Sequence, residues 1–246
     1  MDDGGRLADV LVALGSVRPL TPDEIARSRG FEERLQIEAV YAGNALDGST
    51  LTLDETARVI ATGLAAAGKP LRDQVDALGH AEALRYVDEL IATSRALTAD
   101  RLRHLHALAF RRSRPDIAGR FRTAPATGVT DYSPPDAVFV PESIDGLLAD
   151  YTARRDDEHP VILAADLHQG IVDIHPFETG NGLTARLAMN FHLMQYGYPL
   201  TIVRPEDGDR YADAIRRTRT TGGAHAFRHV LIAAVRDSLD RYRAVL

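Results

Sequence analysis

Apolar residues recur along this chain at three- and four-residue steps almost from end to end, the spacing of a buried helical face. Thr21-Pro22-Asp23-Glu24 is a helix start: a capping threonine, proline at the first helical position and glutamate three residues after the cap. The helix it opens is expected to run to about Asn44, ahead of Asp47-Gly48. Thr52-Leu53-Asp54-Glu55 repeats the signal. A longer helix over 71–94 carries Val75, Leu78, Ala81, Leu84 and Val87 in steps of three, so its stripe drifts around the axis. Thr98 caps the next, through Leu102, Leu105 and Leu108. The last third predicts helices over 143–155, 160–173, 181–197, 208–219 and 224–244.

One stretch breaks the rhythm. Residues 111–142 hold Pro115, Pro125, Pro134, Pro135 and Pro141, with Gly119 and Gly128. Phe121-Arg122-Thr123 and Ala137-Val138-Phe139-Val140 are its plausible strands, so it reads as a long loop or loose hairpin inside a helical domain. Loops of this length usually have a function of their own. The chain shows no internal repeat and no low-complexity linker. It reads as one compact domain, with a helical extension over residues 1–100 and a core over 101–246.

Composition narrows the chemistry. The 246 residues include no cysteine, which excludes a disulfide framework, a thiolate nucleophile, an iron–sulfur cluster and cysteine-type zinc sites. Of 29 basic residues only Lys69 is lysine, leaving 28 arginines. Lys69 stands in Ala-Gly-Lys-Pro without a P-loop before it. Phosphate would therefore be held by arginine, backbone amides or metal. A net charge of −6 and pI near 5.8 argue against a general nucleic-acid binder. Met-Asp-Asp-Gly-Gly is acidic where a secretory signal is basic, and no apolar run approaches the roughly 20 residues of a membrane span. Neither nucleic acid nor membrane is an expected partner, and the cytoplasm is the expected compartment.

The informative segment is His175-Pro176-Phe177-Glu178-Thr179-Gly180-Asn181-Gly182-Leu183-Thr184-Ala185-Arg186. Pro176 ends the preceding helix. Gly180-Asn181-Gly182 can adopt positive φ and expose consecutive N–H groups at the start of the next helix, an anion nest backed by the helix dipole. Arg186 sits about one turn in, within reach of the same anion. His175 stands at the mouth, placed to take a proton from a hydroxyl. Each feature alone has an ordinary reading as a turn, a structural histidine or a surface arginine. In this order, between two helices, they form one site.

These residues resemble the core motif of the Fic family, His-Pro-Phe-x-(Asp/Glu)-Gly-Asn-Gly-Arg-x-x-Arg. Gly119-Arg120-Phe121-Arg122-Thr123 is similar to the family's Gly-x-(Tyr/Phe)-Arg-Thr before its substrate-docking flap. His159-Pro160-Val161, Ala164-Ala165-Asp166-Leu167-His168 and Met194-Gln195-Tyr196-Gly197-Tyr198-Pro199 look like helices around the family's site. Asp209-Arg210-Tyr211 resembles the segment that closes over the nucleotide base. The resemblance spans roughly 35–235 and implies an all-α core with a short β-hairpin flap. It also implies transfer of AMP from ATP to a protein hydroxyl docked on the flap, about 124–141. Carried over, His175 is the general base, the amides of Gly180, Asn181 and Gly182 cradle the phosphates, Arg186 holds the terminal phosphate, and Tyr211 lies at the nucleotide. A homodimer is compatible with this reading.

Two positions depart from the pattern. The acidic residue that holds Mg²⁺ is Thr179 here, a neutral oxygen, with Glu178 acidic one position early. The first arginine is Leu183. The departures imply weakened ATP use, a different phosphate-linked donor, or loss of catalysis in a non-catalytic binding relative. Upstream, residues about 35–48 look like the family's inhibitory helix, (Ser/Thr)-x-x-x-Glu-(Gly/Asn), with Gly43 for Ser/Thr and Asp47 for Glu; the plain alternative for Asp47-Gly48 is a helix-ending turn. Asp47 would inhibit by pairing with Arg186, or position water for AMP removal. His104 and His106 diverge on a helix and His168 reads as packed. Arg216, Arg217 and Arg219 read as a solvated run, and Thr218 stands where the family often has a base-contacting asparagine.

Overall fold

The computed structural model describes residues 3–63, 67–129, 132–221 and 225–246. Within them the chain forms α1 (Asp3–Gly15), α2 (Pro22–Leu46), α3 (Leu53–Thr62), α4 (Leu71–Ala92) and α5 (Ala99–Phe110). The second half contributes α6 (Val140–Arg154), α7 (Pro160–Ile174), α8 (Asn181–Gln195), α9 (Gly208–Thr221) and α10 (His225–Arg243). The capping signals act as their chemistry requires. Thr21 and Thr52 each accept from the backbone amide of the glutamate three residues on, and each glutamate side chain returns to the cap amide.

Helix α8 is the axis of the molecule. Every residue from Leu183 to Leu193 is buried, so it is enclosed on all sides rather than amphipathic. Leu183, Leu187, Met189, Phe191 and Leu193 are each at most 3% exposed and contribute about 1.5–3 kcal/mol apiece. Helix α7 lies along it, α4 and α5 pack on another side, α6 and α10 cover α7, and α1 closes over α10. One hydrophobic core runs from Leu7 in α1 to Tyr242 in α10. None of the described helices is long and apolar enough to cross a membrane.

Three expectations need correction. Helix α1 is absent from the sequence reading, although Leu7, Val10 and Leu14 carry helical spacing; Leu7 and Val10 are buried. The drifting stripe of α4 is only partly its buried face. Ala77, His80, Ala83, Leu84, Val87 and Leu90 are buried while Val75, Leu78 and Ala81 are only partly so, because α2, α5 and α8 press on this helix from several directions.

The flap is the third. Among the described residues it holds no strand, so the β-hairpin is not found: 121–123 is irregular, Ala137–Phe139 is a 3₁₀ turn and Val140 already begins α6. Thr130 and Asp131 lie outside the described residues. Pro134 and Pro135 have no N–H for a ladder. The flap is closed instead by one side chain. The Arg122 guanidinium donates to the carbonyls of Ala124 and Pro135, tying the two sides together.

Candidate active site

The loop joining α7 to α8 is built from the inside. Helix α7 ends at His175, whose φ of 51° and ψ of 58° put a non-glycine residue in the left-handed region, with its amide on the Ile171 carbonyl at 3.0 Å. Phe177 is fully buried, and its ring stacks on that of His106 with centroids 3.9 Å apart. Asn181 binds both backbone groups of Phe177: its Oδ1 accepts the Phe177 N–H at 2.8 Å, and its Nδ2 donates to the Phe177 carbonyl at 2.9 Å. The Asn181 side chain thus faces inward, leaving its backbone amide for the helix start. Gly180 has φ 73°, and a Cβ there would lie 2.2 Å from the Phe110 ring. Only glycine fits.

Two further residues hold this loop. The Gly119 amide donates to His106 Nδ1 at 2.9 Å, so Nε2 carries the proton and donates to the Thr179 carbonyl at 3.1 Å. Burial lowers the His106 pKa to about 4 against the opposing pull of that carbonyl, which keeps the ring neutral. Sequence spacing marked His106 only as diverging from His104; its contacts, 13 and 73 residues away, leave no local signal. Arg122 donates from Nε to the His175 carbonyl at 2.8 Å, and its amide meets the Pro176 carbonyl at 2.9 Å. The residue that closes the flap therefore also fixes the turn bearing His175.

Helix α8 starts without a side-chain cap, and the amides of Asn181, Gly182 and Leu183 meet no backbone or side-chain acceptor among the described residues. One turn on, Arg186 is buried. Its Nη2 donates to Asp47 Oδ2 at 3.0 Å and to the Gly43 carbonyl at 3.1 Å. Its Nη1 approaches the Tyr211 hydroxyl at 3.5 Å, and that hydroxyl lies 2.7 Å from His168 Nε2. Burial works against the Arg186 charge, but Asp47 and Tyr211 outweigh it and the pKa rises. Asp47 is both a helix end and a partner: it caps the C-terminal end of α2, and its carboxylate turns to the arginine. Gly43 is required by His80, whose Cε1 would lie 2.6 Å from a Cβ at 43. Tyr211 is buried, and its hydroxyl is engaged behind Arg186.

His175 stands where two clefts meet. One, of about 380 Å³, is lined by Asp47, Thr179, Gly180, Asn181, Gly182 and Leu183. The other, of about 730 Å³, is lined by Asp47, Gly182, Arg186, Tyr211, Tyr132 and Arg219. Burial lowers the pKa of His175, Arg122 and Arg219 push the same way, and the Val172 carbonyl opposes them. The ring is neutral at pH 7 and free to accept a proton.

Residues 96–193 match the Fic/DOC family. A protein of the sea anemone Nematostella vectensis, named protein adenylyltransferase Fic, is 34% identical over 211 residues, covering 83% of this chain and 48% of that protein. The protein of the same name from the mosquito Culex quinquefasciatus is 28% identical over 236 residues, covering 94% of this chain and 45% of its own length. A solved Fic domain-containing signaling protein from Bacteroides thetaiotaomicron superposes with a TM-score of 0.87 at 26% identity, covering 98% of this chain and 96% of that one. The segment 96–193 belongs to the Fic/DOC family. The chain spans about half the length of the curated relatives it matches. The matched segment holds α5, the flap, α6, α7 and most of α8, so Asp47 and Tyr211 come to the Fic loop from outside it.

Where this Fic loop departs from its pattern, the surroundings do not restore a metal site. Thr179 offers one neutral hydroxyl. The carboxylates lining the same cleft are already engaged: Asp47 with Arg186, Asp73 with Thr50, Asp76 with Arg72 and Glu178 with Arg114. Magnesium is ordinarily held by one or two carboxylates together with phosphate oxygens. The residues present do not fit a protein-held Mg²⁺. Leu183, in place of the first arginine, is 3% exposed and forms apolar wall.

Proposed function

We propose that this protein transfers AMP from ATP to a hydroxyl of a protein target, and that Asp47 holds it in a low-activity state. The observation that carries the reading is the convergence of His175, the open amides of Asn181 to Leu183 and Arg186 on adjoining clefts. The neutral His175 ring takes the proton of the target hydroxyl, whose oxygen attacks the α-phosphorus of ATP, and pyrophosphate leaves. The Gly180–Leu183 amides and Arg186 stabilise the negative charge on the phosphates. Arg186 cannot give its Nη2 fully to phosphate while Asp47 and the Gly43 carbonyl occupy it. The target docks along the flap, 124–141, where the described residues before Ala137 form no ladder and so leave N–H and C=O groups for an incoming segment. The names of the sea anemone and mosquito relatives support this chemistry.

A second reading rests on Leu183 and Thr179. With one cation and one acid fewer than its motif, the site suits a less charged phosphate-linked donor, or binds nucleotide without turnover. Incubation with ATP labelled at the α- or the γ-phosphate separates these. Transfer of the α label alone to protein is expected. His175→Ala should cut it by about 10²–10⁴-fold while leaving nucleotide binding intact. Absence of α label on any protein, even with an Asp47→Ala variant, would remove the AMP-transfer reading.

A further inference from the structure

At the far end of α8, roughly 20 Å from the Fic loop by the rise of the helix, lies a cavity of about 360 Å³ that the mechanism does not use. It opens between α2, α4, α10 and the segment 194–200, and Leu35, Leu84 and Ile91 form its apolar back. Its size is at the lower end of the range for small-molecule sites. Met194, Gly197, Tyr198 and Pro199 line this cavity as well.

Its polar groups are of two kinds. Two are donors. Arg18 gives Nε to the Gly197 carbonyl at 3.0 Å and lies over the Tyr242 ring, but its buried Nη1 has no partner among the described residues. Tyr198 is 2% exposed, and its hydroxyl is likewise unpartnered. A buried donor without a partner is costly and marks a place where something is missing. The others are two carboxylates. Asp88 receives one bond, from Gln36 Nε2 at 2.8 Å, and Glu32 at the mouth accepts from Tyr242 and Ser28. Among the described residues neither carboxylate is in an ion pair, and neither is Arg18.

We propose that this cavity binds a zwitterionic small molecule of the α-amino-acid class with an apolar side chain. Its carboxylate meets Arg18 and Tyr198, its ammonium meets Asp88 and Glu32, and its side chain lies on Leu35, Leu84 and Ile91. The unpartnered donors account for the acid group, and the unpaired carboxylates for the amine. Burial raises the pKa of Asp88, with Glu32 adding to it, which a cation beside it would relieve; burial also raises that of Tyr198 to about 12, which keeps its hydroxyl a neutral donor. The site is independent of the proposed AMP transfer.

Calorimetry and thermal shift on the full chain test it, with L-leucine, L-methionine and L-phenylalanine as probes. Putrescine and 4-methylpentanoate each carry only one kind of charge. At least one amino acid should bind, and both compounds with one kind of charge should bind roughly 10-fold more weakly or not at all. Tyr198→Phe and Asp88→Asn are near-isosteric and should each weaken the amino acid by about 10-fold or more, with ATP binding unchanged. Failure of all three amino acids to bind overturns the proposal. So does binding that both variants leave intact, or putrescine or 4-methylpentanoate binding as tightly as the amino acid.

Discussion

The inner and outer faces of the 175–186 loop obey different rules. On the inner face polar groups are paired in the interior: Asn181 with both backbone groups of Phe177, His106 with Gly119 and Thr179, Arg122 with the His175 carbonyl. On the outer face the helix amides are unspent, and the one buried cation is held by an aspartate whose side chain is 44% exposed. Buried, fully satisfied networks fix a single geometry. A half-exposed ion pair is weak and can be exchanged. The inner face thus fixes the helix start and its open amides, while the arginine beside them is held by a half-exposed carboxylate together with the Gly43 carbonyl and the Tyr211 hydroxyl.

Breaking the inner face should have the largest effect. Asn181→Ala leaves the buried N–H and C=O of Phe177 without partners, which costs about 1–3 kcal/mol for each group. Urea unfolding should show a loss in that range. Nucleotide binding should fall as well, although the Asn181 side chain points away from the cleft. Full retention of ATP affinity in a destabilised Asn181→Ala protein would show that the geometry of the nest does not depend on this anchor.

The outer face predicts a change of opposite sign. Asp47→Ala frees Arg186 Nη2 from its carboxylate while the Gly43 carbonyl and Tyr211 still hold the guanidinium. Because Asp47 is half exposed, the pair contributes about 1 kcal/mol at most, so activation of AMP transfer should be roughly 5-fold rather than 100-fold. Initial rates of α-label transfer measure it. If Asp47 instead positions water for AMP removal, the same substitution abolishes release of AMP from modified protein and leaves transfer unchanged.

The same contrast explains what the sequence could and could not disclose. Helix starts at Thr21, Thr52 and Thr98 were legible because a cap and its partner lie three residues apart. The order His175, Gly180–Gly182, Arg186 was legible for the same reason, being one turn and one helix start. The inner face was not. His106 reaches Thr179 across 73 residues, Arg122 reaches His175 across 53, and His80 displaces a side chain at Gly43 from another helix. Nor was the state of the flap: Ala137-Val138-Phe139-Val140 reads as a strand in sequence, while Arg122 and two prolines settle the backbone otherwise. Asp47-Gly48 illustrates the limit most directly. The turn and the arginine partner were posed as alternatives, and the residue is both.

The smallest effect concerns the group between the two faces. In the proposed transfer His175 acts in its neutral form, and burial, Arg122 and Arg219 all hold its pKa below the ordinary 6.5. Transfer should therefore persist as pH falls through 6.5 and decline only once the lowered pKa is reached, because protonated imidazole cannot accept the hydroxyl proton. Arg219 is the adjustable member: it pairs with Asp173 and lies over the Tyr132 ring. Arg219→Gln removes one of the positive charges and leaves Asp173 less compensated. Both changes favour imidazolium, so the acid limb should move upward by a fraction of a pH unit. The pH profile of kcat/KM and an NMR titration of the His175 ring should move together. An acid limb at or above 6.5 in the unmodified protein, or a limb indifferent to Arg219, would mean that His175 is not the group whose protonation limits the rate.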